Sequence, residues 1–168
     1  MSQREVEIRF FQSQDTESVA DLLHEMSRHY HGDEASTREV IRRNLIDNIL
    51  GTDSDVRIVV ALAGARVVGI ATISILYPAP KERAQLFMKE LYVAVDCRSQ
   101  GTGLQLMTWI ARYAVAKNCS RFDWTVEASN TKALAFYRSL GATHVTDKLY
   151  FRFTGDELRR FANIKTRQ

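Results

Sequence analysis

Arg98-Ser99-Gln100-Gly101-Thr102-Gly103 stands between a β-type apolar run, Leu86 to Val95, and a helix-type run, Leu104 to Lys117. This junction has the composition of an anion cradle. Glycines two apart let the backbone approach a ligand closely, and the N–H groups of a first helical turn have no acceptors within the helix. The helix dipole adds a partial positive charge at the same place, and Arg98 adds a formal one. The stretch reads as a pyrophosphate cradle at a strand-to-helix turn.

The common phosphate loops do not fit these letters. A P-loop needs Gly-x4-Gly-Lys-Ser/Thr, and no such string follows Gly101; the dinucleotide fingerprint needs a third glycine where the chain has Leu106. What remains is Arg-x-x-Gly-x-Gly, which alone is equally a glycine-softened turn with a solvated arginine. A second motif begins 27 residues after Gly103: Asn130-Thr131-Lys132-Ala133-Leu134-Ala135-Phe136-Tyr137-Arg138-Ser139-Leu140-Gly141-Ala142. Its letters also have packing explanations, with Asn130 as an N-cap, Leu134, Phe136 and Tyr137 as an apolar face, and Gly141 as the residue after a helix. In order and separation, however, the two motifs resemble the acyl-CoA loop and the Asn-x-x-Ala-x-x-Phe-Tyr-x-x-x-Gly signature of the GNAT superfamily of N-acetyltransferases.

The resemblance implies an α/β (α+β) fold, a central mixed β-sheet flanked by helices, and acetyl-CoA as co-substrate in direct attack within a ternary complex. It implies cofactor contacts from Arg98, Ser99, Gln100, Gly101, Thr102, Gly103 and Leu104, from the backbone of Leu91, Tyr92 and Val93, and from Asn130 and Tyr137. Leu86-Phe87-Met88-Lys89-Glu90-Leu91-Tyr92-Val93, Cys119-Ser120-Arg121-Phe122 and Trp124-x-Val126 are similar to the diamine and polyamine (spermidine/spermine, thialysine) branch. That branch commonly has an acidic residue where Lys89 stands. A cation facing the acceptor would repel a polyamine, unless strand alternation points Lys89 away from Glu90.

Composition sets the wider bounds. At 168 residues the chain is expected to form one domain over residues 1–168, and its 45% hydrophobic and 26% charged content is ordinary for a globular protein. No apolar run has the length of a membrane span, and Met1-Ser2-Gln3-Arg4-Glu5 lacks a signal-peptide core, so a cytoplasmic location is expected. A net charge of +3 with scattered Lys and Arg does not indicate nucleic-acid binding. Cys97, Cys119 and His29-Tyr30-His31 form no convincing metal set. Cys97, beside Arg98 and a helix start, is expected to have an activated and alkylatable thiol.

Periodicity gives the element order. Val6 to Phe11 reads as a strand, followed by a helix on Val19, Leu22, Leu23, Met26 and Tyr30 that Asp15 caps, and by a second on Val40, Ile41, Leu45 and Ile49 that stops at Gly51. Val56 to Leu62 and Val67 to Ile75 form a hairpin, Pro78 and Pro80 mark a loop, and Leu86 to Val95 is a buried strand. After the cradle helix, Phe122 to Val126 is a strand and Asn130 opens a helix. Ala142 to Val145 and Leu149 to Phe153 are expected to close the sheet, and Thr154-Gly155-Asp156-Glu157 to cap a terminal helix through Ala162.

Acetyl transfer to an amine needs an unprotonated nucleophile, a stabilised oxyanion and a proton for the departing thiolate. An aliphatic amine with a pKa near ~10.4 must lose a proton, directly or through water, and Glu90 is the candidate base; its alternative is a solvated or cross-strand-paired carboxylate. Tyr137, whose reference pKa of about 10 keeps it protonated at neutral pH, is the candidate acid, a role that the matched tyrosine has in the family. Backbone N–H groups around Leu91 to Val93 are the candidate oxyanion donors. Glu25, Asp33 and Glu34, with Glu90, are candidate acceptor-binding carboxylates, and Asp53 and Asp55 lie in segments of the same kind. All of these are equally ordinary solvated charges by composition. The acceptor classes left open are a small diamine, polyamine or lysine-like amine, taken up by a homodimer; a protein N-terminus or lysine; or none, in a non-catalytic acyl-CoA-binding domain.

Overall fold

Residues 6–164 are described by the computed structural model of the chain, and the reading of Met1 to Glu5 lies outside them. A first compact unit, Met1–Thr125, contains β1 (Glu7–Phe10), α1 (Thr16–His31), α2 (Arg38–Asn44), β2 (Arg57–Ala63), β3 (Arg66–Ala79), β4 (Arg83–Val93), α3 (Thr102–Ala116) and β5 (Cys119–Trp124). A second unit, Val126–Gln168, contains α4 (Thr131–Ser139) and α5 (Gly155–Ala162).

In the first unit the sheet order is β1-β2-β3-β4-β5, antiparallel throughout except for the parallel pair β4 and β5. The β-branched runs Ile58 to Leu62 and Val67 to Ile73 are buried at every position, which requires cover on both faces of the sheet. The helices that pack there are α1, through Val19, Ala20, Leu22 and Leu23, and α3, through Leu106, Met107, Ile110 and Ala114. Gly69 on β3 brings α3 in close: a Cβ there would lie 3.0 Å from Leu106 Cδ1 and 3.2 Å from Thr102 Cγ2. Close approach of this helix start to the sheet is what fixes the cradle at the end of β4.

Local chemistry differs from expectation in four places. Asp15 precedes α1, but its carboxylate caps nothing there; it instead accepts from Arg9 Nη1 at 2.6 Å, Arg9 Nη2 at 2.9 Å and the backbone N–H of Gln12 at 2.8 Å. Pro78 lies within β3 rather than in a loop, beside a break in register between Leu76 and Ala79, where a missing N–H costs the ladder nothing. The strand expected over Phe122 to Val126 is shifted back to Cys119–Trp124. Helix α2 relaxes into a π turn, Leu45–Ile49, before ending as predicted at Gly51, where a Cβ would sit 2.4 Å from the Asp47 carbonyl oxygen.

The second unit overturns the expected closing strands. Residues 142–154 contain neither strand nor helix, and Val145, Leu149 and Phe151 are 54%, 82% and 85% exposed. Alternating apolar letters make a strand only where an edge accepts them, and the segment pairs with none among the described residues. Helix α5 is present as expected, but Thr154 makes no side-chain cap to the backbone; its hydroxyl meets Glu157 Oε2 at 3.5 Å.

Candidate active site

The cradle has the backbone that its glycines allow. Gly101 takes a φ of 85° and serves as N-cap of α3, and Ser99, two residues earlier, is held at 59°, a conformation costly for a residue with a side chain. The first bond inside α3 runs from Gln105 N–H to Gly101 O at 3.0 Å, so the N–H groups of Thr102, Gly103 and Leu104 face the entry of the helix without intrahelical acceptors. The Thr102 hydroxyl is buried without a hydrogen-bond partner. Donors, dipole and Arg98 together form an anion seat that suits a diphosphate.

The turn that leads into this seat is tied down on both sides. Arg66 at the start of β3 donates to both carboxylate oxygens of Asp96, at 2.7 and 3.1 Å, holding that carboxyl down to about 2. From α1, Glu25 Oε1 accepts the Val95 N–H at 2.9 Å and the Tyr92 hydroxyl at 3.0 Å. Burial, and then the Glu25 carboxylate, push the Tyr92 phenol up to about 12. Arg98 lies over the Tyr92 ring, 5.0 Å from its centroid, and donates from Nε to Val93 O at 3.0 Å.

Strands β4 and β5 pair in parallel only as far as Met88 and Trp124, so β4 beyond Met88 loses its neighbour on that side. Ala94 N–H donates to Val68 O at 2.9 Å, and Tyr92 is opposite Ile70. Antiparallel alternation therefore turns the backbone groups of Leu91 and Val93 away from β3, towards the opened edge. Here lie the donors expected for an oxyanion.

Glu90 is half-buried on β4, and its N–H donates to Thr72 Oγ1 at 3.1 Å. Strand alternation does not separate it from Lys89. The register places Glu90 opposite Thr72 and Met88 opposite Ile73, so Lys89 is the extra residue of a β-bulge. Its ammonium lies 3.7 Å from Glu90 Oε1 and remains largely exposed. A cation thus stands beside the candidate base.

Of the predicted acceptor carboxylates, Glu25 and Glu90 approach the same neighbourhood, since Tyr30 feels Glu90 and its ring lies 6.4 Å from that of Tyr92. Burial and then the Glu90 charge raise the Tyr30 phenol above its ordinary value. His29 faces Tyr92 at 6.0 Å between ring centroids. Asp33 and Glu34 are exposed on the short 3-10 turn Gly32–Glu34, and Asp53 and Asp55 are exposed before β2. Cys97 is fully buried, which removes the expected alkylatable thiol: packing, not reactivity, is what its position serves.

In the second unit, Asn130 caps α4 by accepting the Ala133 N–H at 3.1 Å, as its position in the signature suggests. Tyr137 lies on α4 with its ring 5.3 Å from that of Phe136, and no residue of this helix is fully buried. The contributions of Arg66, Asp96 and the Tyr92 side chain were not legible in the sequence. Arg66 and Asp96 are 30 positions apart and meet only because β3 and β4 are neighbours.

Comparison with known proteins places this geometry. The family model described as the acetyltransferase (GNAT) family matches residues 16–142. The chain is 33% identical over 102 residues to the thialysine N-ε-acetyltransferase of Mus musculus, covering 59% of each, and 34% identical over 89 residues to the L-2,4-diaminobutyric acid acetyltransferase of Shouchella clausii, covering 53% of this chain and 48% of that one. These matches span less than two thirds of the length of the curated relatives. Among solved structures, an integron cassette protein from V. cholerae superimposes with a TM-score of 0.91 at 36% identity, over 95% of this chain and 98% of the other.

Proposed function

Because the chain belongs to the GNAT acetyltransferase family, we propose that it is an N-acetyltransferase that moves the acetyl group of acetyl-CoA to a primary amine of a small molecule. The observation that carries this is the strand opening beyond Met88 next to a positively polarised cradle: it offers one end for a diphosphate and one for a thioester. The chain's residues would bind acetyl-CoA as substrate through the N–H groups of Thr102, Gly103 and Leu104, with Arg98, Ser99, Gln100 and Asn130 contributing. The N–H groups of Leu91 and Val93 would donate to the thioester oxygen as charge develops on it.

Glu90, directly or through a water, removes a proton from the ammonium; the amine nitrogen then forms the new N–C bond as the C–S bond breaks, Tyr137 gives its hydroxyl proton to the thiolate, and the second proton that the nitrogen loses on becoming an amide returns through water to the Tyr137 oxygen. Attack is direct, in a ternary complex, with no acyl-enzyme. The chain acts as a homodimer.

The acceptor class follows from Lys89. An ammonium 3.7 Å from Glu90 opposes a long polycation but suits a compound that has a carboxylate as well as an amine. Thialysine and 2,4-diaminobutyric acid, in the names of the relatives above, are both such compounds. We therefore favour a lysine-like diamino acid over a diamine or polyamine, with Glu90, Asp33 and Glu34 drawing in the ammonium group. The test is a screen of purified protein with acetyl-CoA against diamino acids, polyamines, plain amines and short peptides, following release of the CoA thiol. Turnover of diamino acids above all others supports the reading. Turnover of peptides alone would replace it with a protein acetyltransferase, and CoA binding without any turnover would leave a non-catalytic acyl-CoA-binding domain.

A further inference from the structure

Glu25 is one of the carboxylates expected to bind the acceptor, yet its Oε1 is committed to two donors. One is the Tyr92 hydroxyl, 3.0 Å away, and the other is the Val95 N–H, 2.9 Å away, at the start of the turn that enters the cradle. Tyr92 is 3% exposed, and its ring is the platform under the Arg98 guanidinium at 5.0 Å. Arg98 is further fixed by Nε on Val93 O, and among the described residues it hydrogen-bonds through Nε alone. Its two terminal nitrogens are thereby left for a ligand.

We propose that Glu25 is a positioning residue for acetyl-CoA rather than a ligand of the acceptor: through Tyr92 and Val95 it sets the platform and the turn that aim Arg98 at the diphosphate. The inference rests on the reading of the cradle as a CoA site. Its physical basis is that a guanidinium on a long flexible stem binds a diphosphate well only if its rotamer is already fixed, and a ring held at its hydroxyl end fixes it. A phenol pushed up to about 12 remains a donor to Glu25 at any ordinary assay pH. The Arg66 pair with Asp96 is a separate hydrogen-bonded tie on the same turn, so a variant without Glu25 keeps one anchor there.

The experiment compares Glu25→Ala, Glu25→Gln and Tyr92→Phe with the parent for CoA affinity by calorimetry, and for KM with acetyl-CoA, with S-acetylpantetheine and with the amine acceptor. Glu25→Ala removes both charge-assisted hydrogen bonds and should weaken CoA binding by about tenfold, and Tyr92→Phe, which removes only one of them, by a smaller factor. Glu25→Gln keeps an oxygen acceptor and should recover most of the loss. The decisive arm is S-acetylpantetheine, which has no diphosphate: the Glu25→Ala effect should vanish with it, whereas general loosening of the fold would persist. Equal CoA affinity in the parent and Glu25→Ala, a rise in KM confined to the amine, or an undiminished effect with S-acetylpantetheine would each overturn the proposal. A parent chain that does not bind CoA would overturn the underlying reading of the cradle, and this inference with it.

Discussion

At the scale of single residues, the proposed chemistry rests on groups placed by irregularities rather than by regular structure. The bulge at Lys89 puts an ammonium 3.7 Å from Glu90, where uninterrupted alternation would have separated them. Replacing Lys89 with glutamate should raise kcat/KM for a polyamine and lower it for a diamino acid, by up to about fivefold each because the pair is exposed; identical ratios for the two acceptors in parent and variant would exclude Lys89 from selectivity. Tyr137→Phe removes the proposed acid and should lower kcat by about 10²- to 10⁴-fold while CoA affinity is unchanged. In Glu90→Gln the alkaline-rising limb of the rate should flatten. Wild-type turnover in the first variant, or an unaltered pH profile in the second, would assign that proton to another group.

At the scale of elements, the proposed active region is the end of β4, the turn after it and the first turn of α3. Gly101, at a φ of 85°, is a position that a β-branched residue cannot take without strain. A Gly101→Val, Gly103→Val variant should therefore lose CoA binding in calorimetry while retaining its helical circular dichroism; unchanged affinity in a folded protein would place the cofactor elsewhere. Gly69 serves the same region from beneath. With Leu106 and Thr102 side chains at 3.0 and 3.2 Å from its would-be Cβ, Gly69→Val should push α3 outward, costing about 1–3 kcal/mol in chemical denaturation as an overpacked core does.

At the scale of the whole molecule, the start of the chain contributes a partly buried ion pair, Arg9 with Asp15, of which the Asp15 side chain is 4% exposed. The Arg9 hydrogen bond outweighs burial and holds the Asp15 carboxyl below its ordinary 3.8. A depressed carboxyl stabilises fully above the unfolded value, and that contribution is lost as pH falls through the lowered folded value. Asp15→Asn should therefore cost about 1–3 kcal/mol at neutral pH, with the gap to the parent closing in strong acid, as denaturation curves across pH would show. A pH-independent difference would locate the cost in packing instead. The exposed Leu149 and Phe151 bear on the proposed homodimer. Light scattering should give twice the mass of one chain, and a Leu149→Glu, Phe151→Glu variant should give a single chain; a monomeric parent would remove the homodimer from the proposal.

What the sequence determined alone is what depends on local rules. Gly101 and Gly103 announced a strand-to-helix turn, Asn130 a helix start, Gly51 a helix end, and the β-branched runs a hairpin; each follows from backbone sterics, capping or periodicity within a few residues. Tertiary structure decided whatever joins distant positions. Asp15 fits an N-cap by its letter but lies within reach of Arg9, a stronger partner for a buried carboxylate. Lys89 meets Glu90 because the register of β4 against β3 slips by one residue, and no propensity records a slip. Ala142 to Phe153 has a strand's alternation yet forms none, since a strand needs an edge as well as a pattern. Glu25, indistinguishable in sequence from any helical carboxylate, holds Tyr92 and Val95 only because α1 and β4 are brought side by side, and hydrogen bonds between residues 67 and 70 positions apart exist only in the folded chain.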